Sequence, residues 1–296
     1  MKRALFCFVL LGLIINSYAQ SSMQLLKNIQ AELSNQKGFF AIAFKDLQTN
    51  ETLLWNEHDI FHAASTMKTP VMMEVYKQVA AGKLVLTDSI LVKNEFKSIV
   101  DGSTYSLNAA DDSQQELYKR VGSKIPLSEL VYQMIIMSSN LATNLIMEMV
   151  DGKKVTQTMR DLGTKNMMVL RGVEDSKAFA QNLNNTTTAY DLMVVYEQLA
   201  KGKVVSQKAC DEMINTLFNQ THNTLIPALL PKNVRVAHKT GTITGVHHDS
   251  GIVFLPDGRK YVLVVLSKNL ENDTEATNAM AKVSEMIYQN VVNKTN

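Results

Sequence analysis

The chain is poor in cysteine, holding Cys7, Cys210 and no others. Cys7 falls in an apolar leader, so the mature chain keeps one thiol. It has no intramolecular disulfide, and its stability must come from packing. Cys210 is read as a buried helix residue rather than a nucleophile. An excess of charge of one sign is also lacking. The 30 Lys+Arg and 28 Asp+Glu leave a formal net charge of +2, which does not fit a nucleic-acid or anionic-membrane partner. No apolar run is long enough to span a bilayer comfortably, including Ala4 to Ile15. Internal repeats and low-complexity stretches are missing. What remains is ordinary globular composition, 46% hydrophobic and 20% charged, which excludes a disordered, collagen-like or coiled-coil chain. The length suits one large core or two small ones.

At the N-terminus Lys2 and Arg3 precede the apolar run, and Ser17-Tyr18-Ala19 places small residues where a signal peptidase reads. The expectation is a signal peptide over 1–19, cleavage after Ala19, and a periplasmic or secreted protein without a stable membrane anchor. Cleavage removes Lys2 and Arg3 and leaves the mature chain near neutral. A monomer is expected, because no large unexplained apolar surface pattern is visible.

Periodicity places strands at both ends and helices in the middle. Met23 to Leu33 has helical spacing, Phe39 to Phe44 reads as a buried strand, and Thr52 to Trp55 pairs back on it. Helices follow over Thr66–Ala81, Leu127–Met137, Leu141–Val150, the stretch around Val155–Leu162, and Thr188–Ala200. Ser206 is an N-cap for one more. Three strands then return, Val234–Thr240, His248–Leu255 and Tyr261–Ser267, before a helix over Thr274–Val292. The expected fold class is α+β: a mixed antiparallel sheet with packed terminal helices, plus an all-helical domain. The boundaries are 20–60 with 206–296 for a discontinuous α/β sheet domain, and 61–205 for the helical domain. Clefts form where two such parts meet.

Three short patterns carry chemistry. Ser65-Thr66-Met67-Lys68 opens a helix, where unpaired N–H groups favour a developing anion. Lys68, one turn on, can take the serine's proton if its pKa is lowered. Ser138-Ser139-Asn140 joins two amphipathic helices, where a hydroxyl can relay a proton and an amide can hold a carbonyl. Lys239-Thr240-Gly241-Thr242 ends a strand. Its lysine offers positive charge to a carboxylate, Gly241 lets a substrate approach the backbone, and the Thr242 N–H can join that of Ser65 as an oxyanion donor. Each pattern is weak alone, since Ser34-x-x-Lys37 and Ser267-Lys268-Asn269 repeat the first two.

In this order and setting the three resemble the penicillin-recognising serine hydrolases, and most closely the class A β-lactamases, whose signature motifs they match. The resemblance spans nearly all of the mature chain. It implies a β-lactam-opening serine hydrolase with Ser65 as nucleophile, Lys68 as its base partner and Ser138 as proton relay. It further implies that Asn140 holds the substrate amide and Lys68, and that Lys239 and Thr240 bind the substrate carboxylate. The N–H groups of Ser65 and Thr242 would form the oxyanion hole beside Gly241. A small-molecule β-lactam is the implied partner, and no metal or cofactor is implied.

The departures from the family pattern are specific. Ser139 stands where the family has Asp, and the segment 94–123 looks longer than usual. Tyr105 and Tyr118 in it are read as surface-loop tyrosines rather than cleft residues. Glu174 lies three residues after Arg171, one further than the family spacing, and no Leu-Asn follows as usual. Asn185 stands where an Asp would pair with Arg171. Glu174 is therefore either the activator of a deacylating water or a loop carboxylate without that role. The alternatives are a D-Ala-D-Ala carboxypeptidase or esterase, and a β-lactam-binding sensor that never turns over. His247-His248-Asp249 suggests metal ligands but has no zinc spacing, and strand neighbours point to opposite faces.

Overall fold

The computed structural model describes residues 22–294; the signal peptide expected over 1–19 lies outside them. The chain forms α1 (22–34), β1 (Phe39–Asp46), β2 (Thr52–Trp55) and β3 (Phe61–His62). A 3-10 turn (Ala64–Met67) then runs into α2 (Lys68–Ala80). Next come β4 (Ser89–Leu91), β5 (Phe96–Lys97), β6 (Thr104–Tyr105), β7 (Lys124–Pro126), α3 (Leu127–Ile136), α4 (Asn140–Val150), α5 (Gly152–Asp161), α6 (Ser176–Ala180) and β8 (Thr186–Thr187). The order closes with α7 (Ala189–Ala200), α8 (Gln207–Leu217), β9 (Arg235–Ile243), β10 (Val246–Phe254), β11 (Lys260–Lys268) and α9 (Asp273–Asn293).

Five strands form one sheet in the order β2-β1-β11-β10-β9, and every neighbouring pair is antiparallel. Side chains alternate across a strand, so each strand feeds two cores. Phe40, Ile42 and Phe44 of β1 join Tyr261, Leu263 and Val265 of β11 on one face, against Ile29 and Leu33 of α1 and Val283 and Ile287 of α9. Ala41 and Ala43, with Val262, Val264 and Leu266, face the other way onto the helical part, including Val71, Val195 and Tyr196. Chain ends and middle thus meet across one sheet, and the fold is the expected α+β arrangement.

The helix boundaries follow their caps. Ser139, Thr188 and Ser206 each accept a hydrogen bond from a first-turn N–H, and Gly82, Gly163 and Gly202 follow helix ends at positive φ. Within 61–205, three strand pairs join the helices: β3 with β8, β4 with β7 and β5 with β6. They are too short for a two-residue period to register in the sequence. Cys210 is buried in α8, as expected.

Candidate active site

The 3-10 turn carrying Ser65 packs end-on against β9. A Cβ placed on Gly241 would lie 3.0 Å from Ser65 N, 3.1 Å from Thr66 N and 3.2 Å from the Ala64 Cβ. A side chain at this position would have to push the turn back by a few tenths of an ångström. Ser65, Asn140 and Thr242 line two adjoining cavities. One, of about 530 Å³, runs past Glu174 toward His62, Phe179 and Ile243. The other, of about 190 Å³, holds Ser138, His222 and Thr240. Ser65 is half-buried at their junction.

Lys68 and Lys239 are both fully buried, and both reach the same hydroxyl. The Lys68 Nζ donates to Ser138 O at 2.6 Å, Ser138 Oγ at 3.2 Å and Asn140 Oδ1 at 2.9 Å. The Lys239 Nζ lies 3.0 Å from Ser138 Oγ and also donates to Thr240 O. Burial pushes the Lys68 ammonium down to about 7, against the opposing pull of the Asp112 and Glu174 carboxylates. Burial, and then the nearby charge of Lys68, hold Lys239 well below the ordinary ammonium value. Two full charges beside one hydroxyl would repel, so the pair favours one neutral amine, and a neutral amine accepts a proton.

Asn140 connects this cluster to the loop before α6. Its Nδ2 donates to Glu174 Oε1 at 2.7 Å. Asn144, one turn further along α4, grips the residue before Glu174: its Oδ1 accepts from Val173 N at 2.6 Å and its Nδ2 donates to Val173 O at 3.0 Å. Gly172 is needed there, because a Cβ would sit 2.2 Å from Asn144 Oδ1. Partial desolvation in the cleft raises the Glu174 carboxyl above its ordinary value, although the residue stays open to solvent. Ala64, Ser138 and Glu174 all have positive φ, at 45°, 58° and 60°. Such strain costs about 1–3 kcal/mol per residue and persists where surrounding contacts enforce it.

A match to the model of the beta-lactamase enzyme family covers residues 24–291. The chain belongs to this family. Among the family's curated members, the chain is 26% identical over 284 residues to the extended-spectrum beta-lactamase PER-1 of Pseudomonas aeruginosa, covering 92% of this chain and 88% of the relative. It is 24% identical over 283 residues to a beta-lactamase of Bacteroides uniformis, covering 91% and 92%. Among solved structures, a beta-lactamase from Sphaerobacter thermophilus superimposes with a TM-score of 0.77 at 28% identity, covering 89% of this chain and 95% of that one. PBP-A superimposes with a TM-score of 0.78 at 26% identity, covering 91% and 96%.

In this family member the sequence motifs converge and their look-alikes do not. Ser34 donates to the nearby Ala31 O, and exposed Lys37 pairs with Glu271. The Ser267 hydroxyl donates to His247 O. The three residues 247–249 separate. His247 bonds Thr277, His248 Nε2 donates to His62 O, and Asp249 takes His238. Burial holds His248 down near 4, in its neutral form.

The expectations for the two loop tyrosines change. Tyr105 and Tyr118 are half-buried rather than on the surface, with Tyr105 donating to Val173 O and Tyr118 to Asp112. Asn185 does not meet the Arg171 guanidinium. It accepts from Leu170 N and Arg171 N and donates to Arg171 O. The guanidinium instead donates to Leu183 O, Gly172 O and Asn184 Oδ1. Sequence reasoning missed Asp112 and Asn144 altogether. Asn144 carried a usable signal, since it lies four residues after Asn140 on the same helix face.

Proposed function

We propose that this protein is an exported serine β-lactamase that opens the ring of penicillin- or cephalosporin-type compounds through a Ser65 acyl-enzyme. The observation that carries this reading is the continuous hydrogen-bonded chain Lys239–Ser138–Lys68–Asn140–Glu174 around the cleft that holds Ser65.

Ser65 Oγ attacks the lactam carbonyl carbon, and its proton passes to neutral Lys68. The carbonyl oxygen becomes an oxyanion, held by the N–H groups of Ser65 and Thr242. The ring C–N bond then breaks, and its nitrogen takes a proton through Ser138 from the lysine pair. Lys239 and Thr240 hold the substrate carboxylate, whose negative charge favours the Lys239 ammonium. Glu174 takes a proton from water as the water adds to the acyl carbonyl. The Ser65 ester bond breaks, and the proton that Glu174 took from the water returns to Ser65 Oγ, which leaves Glu174 ionised again. No metal or cofactor enters these steps.

Export rests on the leader over 1–19. The protein is then periplasmic or secreted and acts as a monomer. The division into 20–60 with 206–296 and 61–205 belongs to the same reading. The departures at Ser139 and in the Glu174 loop favour a second reading, a D-Ala-D-Ala peptidase or esterase.

The test mixes mature protein with a penicillin and follows intact mass over time, with chromogenic cephalosporin turnover on the same sample. The expected result is a transient adduct with steady turnover, both absent in Ser65→Ala. A lasting adduct without turnover would replace this reading with a binder or sensor. No adduct, together with hydrolysis of muropeptide-like or ester substrates, would favour the second reading.

A further inference from the structure

We infer that Asp112 is a positioning residue, whose buried carboxylate holds the first turn of α4 and thereby sets Ser138 and Asn140 against Lys68. It reaches the site from the 94–123 segment, just after a 3-10 turn at Ala109–Asp111. The Asp112 residue is only 4% exposed. Its Oδ2 accepts from Asn140 N and Leu141 N, each at 2.9 Å, from Tyr118 OH at 2.9 Å and from Ser139 Oγ at 3.4 Å. Its Oδ1 accepts from Gln114 N at 3.0 Å. All of these donors are neutral.

The first turn of α4 leaves its N–H groups without helical acceptors. Ser139, the N-cap, can take only the N–H of Ala142, at 3.2 Å. Asp112 takes the two that remain nearest the site, and brings the negative charge a helix start favours. The residue whose N–H it fixes, Asn140, is the one whose side chain bonds both Lys68 and Glu174. Ser138, two residues earlier, is at positive φ and touches both lysines. A small shift at the start of α4 would therefore move every link of the chain around Ser65. The short Ser139 side chain and the acidic 94–123 segment are complementary: the cap residue lacks a charge, and the loop delivers one to the same turn.

Asp112 also acts through space. Around Lys68 the charged and titratable groups are Asp112, Glu174, Lys239 and His222; around Glu174 they are Asp111, Asp112, Tyr105, Tyr118 and Lys68. Tyr118, hydrogen-bonded to Asp112, is raised by burial first and then by that carboxylate. The Asp112 charge raises the Lys68 and Glu174 pKa values. Its removal lowers both, so the acid limb of the rate profile must move to lower pH.

The kinetic arm of the test rests on the hydrolase reading; the amide arm does not. Asp112→Ala should expose the Leu141 and Asn140 amides to hydrogen exchange. It should also cut kcat/KM roughly ten- to a hundredfold, the equivalent of leaving one or two buried N–H groups without acceptors. Asp112→Asn, which keeps an oxygen but no charge, should keep the amide protection and move the acid limb to lower pH. Ser139→Asp should impair the wild type, by crowding two carboxylates at one turn, yet restore Leu141 protection and most of the rate in Asp112→Ala. A folded Asp112→Ala with unchanged amide exchange, or failure of Ser139→Asp to rescue it, would overturn the inference. If Asp112→Ala does not fold, the double variant Asp112→Ala with Ser139→Asp is measured instead, and failure of that chain to fold, or unprotected Leu141 in it, overturns the inference. Wild type without turnover would defeat the hydrolase reading and leave the amide result to judge Asp112.

Discussion

Glu174→Gln tests the loop whose spacing departs from the family pattern. The substitution keeps the side-chain shape. A glutamine Oε1 can still accept from Asn140 Nδ2, as the carboxylate does at 2.7 Å, so α4 keeps its tie to the loop. The grip of Asn144 on Val173 uses backbone atoms and is untouched. What is lost is the base. General-base catalysis is worth roughly 10²–10⁴-fold, or about 3–5 kcal/mol of barrier. Only the step that needs activated water should slow by that factor. Acylation should survive, because Glu174 is one of the carboxylates that raise Lys68. Removing its charge leaves Lys68 more fully neutral and competent as a base. In the assay, penicillin is added to the variant, and adduct mass and free-product release are followed together. The expected record is a full-height acyl adduct that persists while product release falls by the stated factor. If product release drops less than about tenfold and no adduct accumulates, Glu174 is not the water-activating base, whatever its position in the cleft.

The wild-type rate profile gives a second check. Lys68 is held down to about 7 by burial, and the neutral amine is the active form. Single-turnover acylation should therefore rise as pH increases through about 7 and level off above it; a flat profile from pH 5 to 9 would remove Lys68 as the base. Gly251→Ala probes the scaffold instead. Gly251 pairs with His238 on β9, and an added Cβ would lie 2.5 Å from Ala237 O and 2.8 Å from His238 Cα. Backbone cannot swing aside, so a loss of about 1–3 kcal/mol is expected, read as a drop in Tm. An unchanged Tm would show that the β9–β10 spacing yields more easily than this geometry implies.

How far the sequence could be read depended on the distance over which each residue finds its partners. Strands β1, β10 and β11 and the longer helices carry their periodicity within themselves. Ser65 and Lys68 share one turn, and Lys239 to Thr242 share one strand end. These were legible because spacing alone sets which side chains are neighbours. Glu174 was ambiguous because its role is fixed from α4, through Asn140 and Asn144, 34 and 30 residues back in the chain. Asp112 was invisible for the same reason: nothing local to 112 indicates that its carboxylate will meet the N–H of Asn140, 28 residues on. The positive φ values mark the same boundary. Ala64, Ser138 and Glu174 are not residues whose side chains favour that conformation. The partners of these residues or of their chain neighbours come from β3, α4, β9 and the 94–123 segment, which meet only in the folded chain. A motif search therefore finds the groups that do chemistry, while the groups that hold them in strained positions lie where only the folded structure brings them together. In this family member Ser139 and Asp112 make that division concrete. The substitution that looks like a weakened motif along the chain is, in the folded protein, one half of a two-residue cap whose other half comes from a loop.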